Sequence, residues 1–180
     1  MGMTIVKEQQ SKRMASIMHC LSCLPRKILE LQGRENIIEF ILHELGREEC
    51  FNLERVAYVV DNPDFDCIKG VAGYCRLESY HPQKDIWQEA DDFSQHMKNS
   101  SFNNKIRCFC KPSGIKCGIS EQDIIKEIAT ELGFSHPSYY AWQVKHDNKG
   151  ILLYEKAEEG ECDCEYLLDG LCLIGFCPIF

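Results

Sequence analysis

The sequence predicts an α+β domain made of two internally duplicated helix–strand–strand units with mainly antiparallel pairing, together with N-terminal helices and a cysteine-rich C-terminal tail. Three observations carry that expectation. Residues 23–46 laid without a gap on residues 110–133 give nine identities in twenty-four positions. Both segments open Cys-x-Pro, share Ile-Ile-x-x-Ile and close Glu-Leu-Gly, which puts apolar residues on one helical face and a helix-stopping glycine at its end. The match then resumes over residues 57–60 against 141–144 and 69–74 against 149–154, two strand-like runs per copy. Short turns join the runs of each copy, which requires antiparallel pairing. A two-stranded ribbon and one helix cannot bury both of their faces, so the two units are expected to share a core under approximate two-fold symmetry.

Taken in order, residues 4–31 read as one or two helices, broken near Pro25, which suits the first turn of a new helix. Within them Lys12 and Arg13 precede a short apolar run, residues 14–24. Mostly polar residues come before that run, His19 interrupts it and no small-residue cleavage site ends it, so it reads as a buried helix rather than a secretory leader. No run approaches membrane-spanning length. Unit one covers about residues 20–80, with Ile37, Ile38, Ile41 and Leu45 as its helix core. Asp61, Asp64 and Asp66 share one hairpin loop, but the spacing is wrong for a calcium-binding loop and its glycine is missing. Gly70 and Gly73 inside the second strand mark close packing or a bulge.

A linker helix is expected over about residues 85–98, with Ile86, Ala90, Phe93 and Met97 on its inner side, followed by a polar loop over residues 98–104. Unit two covers about residues 105–160: a short strand at 105–110, a helix at 121–132 with core Ile124, Ile125, Ile128 and Leu132, a strand at 138–145, a turn at 146–150, and a return strand at 151–156. The tail, residues 161–180, is too short to be another domain and is expected to dock on the sheet edge formed by residues 105–110. The whole forms one domain.

Composition restricts the partners. Of the 180 residues 44% are hydrophobic, enough for a single core, and twenty Lys plus Arg against twenty-eight Asp plus Glu give a net charge of -8. No basic stretch is interleaved with aromatics, which argues against nucleic acid. The expected partner is a protein or a small-molecule ligand, away from membranes, with an oligomer compatible.

Twelve cysteines are then the central chemical signal. A chain with a full core needs no stapling, so a reduced, cytoplasmic protein is expected. Cys50, Cys67 and Cys75 stand singly beside strands and read as core residues. The others are grouped. Cys108, Cys110 and Cys117 lie at the entry to unit two, and Cys162, Cys164, Cys172 and Cys177 in the tail. Pairs spaced by one or two residues can aim two thiolates at one ion, so these seven are the candidate ligands of a zinc or iron–sulfur centre. The acidic neighbours Glu158, Glu159, Glu161, Asp163 and Glu165 disfavour a free thiolate there, and a cation would relieve that penalty.

The functional expectation is therefore a binding or regulatory protein with a thiolate metal or cluster site. Its alternative is a redox enzyme using Cys20 and Cys23 as a dithiol, although no strand precedes that pair as in thioredoxin-like motifs. No phosphate-binding loop, nucleophile elbow, zinc-protease helix or dinucleotide fingerprint occurs. His81 and His136, each before a proline, occupy non-equivalent places in the two units and read as turn residues.

Overall fold

The computed structural model describes residues 2–157 and 164–176, with residues 2–10, 164, 165 and 176 described by backbone path alone. Along the chain run α1 (Gly2–Glu30), α2 (Ile37–Gly46), β1 (Leu53–Asn62), β2 (Cys67–Cys75), α3 (Ala90–Asn99), α4 (Ser101–Arg107), β3 (Cys110–Lys111), α5 (Gly114–Cys117), α6 (Glu121–Leu132), β4 (Ser138–Gln143), β5 (Lys149–Lys156) and α7 (Cys164–Cys172). The strands form one antiparallel sheet in the order β3-β2-β1-β5-β4. The α+β class follows directly.

Burial on both faces explains why the central strands are so apolar. In β1, Val56, Tyr58 and Val60 point to one face while Ala57 and Val59 point to the other, and β5 divides Leu152 and Tyr154 from Ile151 and Leu153 in the same way. The first face is covered by α1, α2, α3 and α7 through Ile17, Leu24, Phe40, Ile41, Phe93 and Leu171, and the second by α4 and α6 through Ile106, Ile125, Ile128 and Leu132. Both expected helix quartets are buried. They do not share a face.

That difference corrects the expected two-fold symmetry. The order β2-β1-β5-β4 sets the first strand of one unit against the second strand of the other, and α2 and α6 cover opposite sides of the sheet. A two-fold axis perpendicular to the sheet would exchange β1 with β5 and keep both helices on one face. Displacement along the sheet would also keep them on one face. Neither operation superposes the two helix–hairpin units, so the repeated sequence does not become repeated packing.

The segment between the units is corrected as well. The expected strand at 105–110 is largely helical, because α4 runs to Arg107 and only Cys110 and Lys111 pair with β2. Its cause is tertiary: Glu78 accepts hydrogen bonds from Ser100 Oγ at 2.6 Å, Ser101 Oγ at 2.5 Å and the Phe102 N–H at 3.1 Å, and Ser100 Oγ caps α4 by accepting from the Asn103 N–H at 3.1 Å. The polar loop expected at 98–104 is thus a helix junction. The linker helix starts five residues late, at Ala90, because Asp85 first makes a local turn, accepting from the Trp87 N–H at 3.2 Å. At the N-terminus α1 passes through Pro25 without ending there. The described part of the tail does not dock on the 105–110 edge. Leu167, Leu171 and Ile174 join the core beside α1 and α2, and Gly170 abuts Leu21 and Leu45.

Two consequences are measurable. A methyl group at Gly70 would overlap the backbone carbonyl oxygen of Ile106, which a rotamer change cannot relieve. Gly70→Ala is expected to destabilise by roughly 2–3 kcal/mol in urea titration. His43 is buried, and its Nε2 accepts from the Tyr80 N–H at 3.0 Å. Burial, reinforced by the positive charges of His96, Arg47 and His81, pushes its pKa down to about 4. Between that value and an unfolded pKa of about 6.5 the unfolded chain binds more protons, so stability is complete above the window and falls as pH drops through it, by up to roughly 3 kcal/mol. His43→Gln, which keeps an acceptor for Tyr80, should flatten the dependence of the urea midpoint on pH over that window.

Candidate functional site

The best-defined cluster of reactive side chains lies between α1 and the turn that follows α2. Ile17, Leu24 and the partly buried Cys20, Leu21 and Ile28 form the inward stripe of α1, so Cys20 faces the body of the protein. Beyond α2 the chain reverses tightly, with the Cys50 and Asn52 N–H groups donating to the Arg47 carbonyl at 3.0 and 2.9 Å and Asn52 in the left-handed region at φ 51°. This reversal fixes Cys50 beneath α1. Ser16 Oγ donates to the Glu49 carbonyl at 2.7 Å and ties the helix to the turn. Between them lies a cavity of about 340 Å³ lined by His19, Cys20, Cys23, Lys27, Glu44 and Cys50, among others.

Glu44 organises its polar wall. The carboxylate accepts from Trp87 Nε1 at 3.0 Å and meets Lys27 Nζ and Arg47 Nη1 at 3.4 Å each, with Asp85 also 3.1 Å from Lys27. Its side chain is only 7% exposed, so these donors replace lost hydration. Burial works against the charge of Lys27, but Glu44 and Asp85 outweigh it and raise that pKa; burial likewise opposes Arg47, and Glu44 and Glu49 raise it.

The cavity holds three thiols, Cys20, Cys23 and Cys50. Cys20 and Cys50 line the same cavity, and the Cys20 pKa is lowered, chiefly by Cys50, against burial and the Glu44 charge, with Lys27 and Arg47 contributing in the same direction. Cys20 Sγ is also 4.0 Å from Glu44 Oε1, the geometry of a thiol donating weakly to a carboxylate. The same interaction with Cys20 pushes the Cys50 pKa up, together with burial and the charge of Glu44. Cys23, one turn further along α1, has Sγ 3.9 Å from His19 Nε2. Cys20 is therefore the thiol better able to ionise, and Cys50 is its buried partner.

Of the seven cysteines expected to bind metal, four have described side chains. Cys108 follows α4, Cys110 lies on the edge strand β3 and Cys117 ends α5, all exposed, while Cys172 is exposed at the end of α7 on the opposite side of the sheet from α4 and α6. Cys162, Cys177 and the Cys164 side chain lie outside the described residues. Among the described residues no group of three or more His, Cys, Asp or Glu side chains is placed to hold a metal ion. Cys50, read from sequence as ordinary core, is buried as expected but stands against Cys20. No local motif signals that pairing, since it depends on how α1 packs across the α2 turn. Among the described residues no helix is long and apolar enough to cross a membrane.

Alkylation should follow this division. With a small alkylating agent at neutral pH, peptide mass spectrometry should find Cys20 modified well before Cys50. Glu44→Gln retains an acceptor for Trp87 but removes the charge facing Lys27 and Arg47, whose side chains are 23% and 45% exposed. With that partial exposure discounted, the expected loss is roughly 2 kcal/mol, read from urea unfolding.

Comparison with known proteins adds no relative: no protein-family description, no curated protein and no solved structure matches this chain.

Proposed function

We propose that the chain is a thiol-based regulatory protein whose state is set by oxidation of Cys20 and Cys50 to a disulfide. The observation that supports this reading is that Cys20 on α1 and Cys50 in the turn after α2 line one cavity, with Cys20 partly exposed and Cys50 buried. A thiolate, not a thiol, is the nucleophile in thiol–disulfide exchange. The oxidant is a low-molecular-mass disulfide. The Cys20 thiolate attacks one of its sulfurs, the oxidant's S–S bond breaks, one thiolate leaves and a mixed disulfide forms on Cys20. Cys50 then loses its proton to the departing thiolate or to water and attacks Cys20 Sγ, releasing the second thiolate and closing Cys20–Cys50. Two protein thiols are oxidised and one small disulfide is reduced to two thiols.

This differs from the dithiol reading of Cys20 and Cys23, because the partner of Cys20 is distant in sequence and buried. It also gives oxidation a mechanical consequence. Closing a loop from residue 20 to residue 50 restrains the unfolded chain by about 3–4 kcal/mol. The bond would also fix α1 to the α2 turn.

Titration with oxidised glutathione, followed by peptide mapping, is the test. The expected product is Cys20–Cys50, accompanied by a higher urea midpoint and absent from Cys20→Ser and Cys50→Ser. A Cys20–Cys23 product, or retention of both thiols over a broad range of glutathione ratios, would overturn the proposal.

A further inference from the structure

At the opposite end of α2 from the thiol cleft, a second cavity of about 780 Å³ opens on the same face of the sheet. We infer that it is a binding site for an apolar α-amino acid, held as a zwitterion between two cations and an acidic residue. The cavity is within the size range of small-ligand sites. Its apolar wall comes from Ile38 on α2, Val60 on β1 and Val71 on β2, with Phe65 at the hairpin between the two strands. Phe65 is 79% exposed, yet Asn62 Oδ1 accepts its backbone N–H at 3.0 Å, so the loop that presents the ring is hydrogen-bonded. That places a large apolar surface in water beside a cavity it could help to close.

The polar wall determines the class of ligand. Arg107 Nη1 is 2.7 Å from the buried Glu39 carboxylate, leaving its other nitrogens outside that ion pair, and its side chain is 49% exposed. Lys69 and Glu35 also line the cavity, and neither side chain has a hydrogen bond or ion pair with the described residues. An incoming carboxylate is complementary to Lys69 and Arg107, and an ammonium group to Glu35. The lining balances two cations, Lys69 and Arg107, against two anions, Glu35 and Glu39. It selects a ligand with both charges over a simple acid or amine. The apolar wall supplies the place for an aliphatic or aromatic side chain. Cys67, on the same wall and partly exposed, reports occupancy.

This inference does not depend on the thiol pair. Isothermal titration of the full chain with L-phenylalanine and L-leucine, compared with 3-phenylpropionate and 2-phenylethylamine, tests it. At least one amino acid should bind saturably and protect Cys67 from N-ethylmaleimide, while each phenyl analogue lacking one charge should bind about tenfold or more weakly than phenylalanine where phenylalanine binds. Lys69→Ala and Phe65→Ala alter exposed positions and should weaken binding of the amino acid without moving the urea midpoint. If neither amino acid bound, if 3-phenylpropionate bound as tightly as phenylalanine, or if both variants retained wild-type affinity, the inference would be overturned.

Discussion

The antiparallel pairing of β1 with β5, from Leu53 opposite Lys156 to Asp61 opposite Lys149, determines what the remaining chain must do. Both strands carry large apolar residues on alternate sides, and the faces they create are buried separately. A sheet that is apolar on one side needs one layer of cover, whereas this one needs two. That requirement distributes α1, α2, α3 and α7 to one face and α4 and α6 to the other. It also explains how two similar helix–strand–strand sequences reach different environments: the face available to each helix is decided by its connection to the common sheet, not by its own periodicity.

Buried and half-buried carboxylates then lock the connections. Asp61, at the end of β1 and 1% exposed, accepts from Ser113 Oγ at 2.6 Å and from the Gly114 and Ile115 N–H groups at 3.1 Å, fixing the short α5 against the sheet. Glu39 joins α2 to the end of α4 through Arg107; burial raises its pKa, with the arginine opposing that rise. Glu155 receives two bonds from Arg55 and two from the Ser135 and His136 backbone, joining the central strands to the exit from α6. Each carboxylate lies at a junction between elements distant in sequence. Removing its donors would leave a desolvated charge, so these junctions favour one arrangement over alternatives that leave the same groups unpaired.

Periodicity and end signals made much of the secondary structure legible. Ile124, Ile125, Ile128 and Leu132 along α6 and Gly133 beyond it at φ 81° agree with one another, and the expected helix boundaries match. The junction at Ser100 was less legible because its principal partner, Glu78, lies across a loop and a helix in the chain. The candidate site was obscured for a related reason. Short spacing drew attention to Cys108, Cys110 and the tail, but spacing does not determine whether thiols meet. Cys20 and Cys50 meet because a helix stripe and a tight reversal converge on the same space.

The location of that thiol pair joins its chemistry to the packing of the molecule. Cys20 belongs to the apolar stripe of α1, and Cys50 belongs to the turn held by Arg47; Glu44 sits between these elements and anchors both Lys27 and Arg47. The carboxylate opposes ionisation of Cys20, while the cations it retains favour it and the Cys50 thiol favours it more strongly. Packing and acidity are therefore not separable at this site. A displacement of α1 would lengthen the thiol contact, weaken the cation cluster and expose the sulfur to water together, whereas a bond between the sulfurs would resist that displacement. The proposed regulation rests on this coupling between the seating of one helix and the state of the thiol on its inner face.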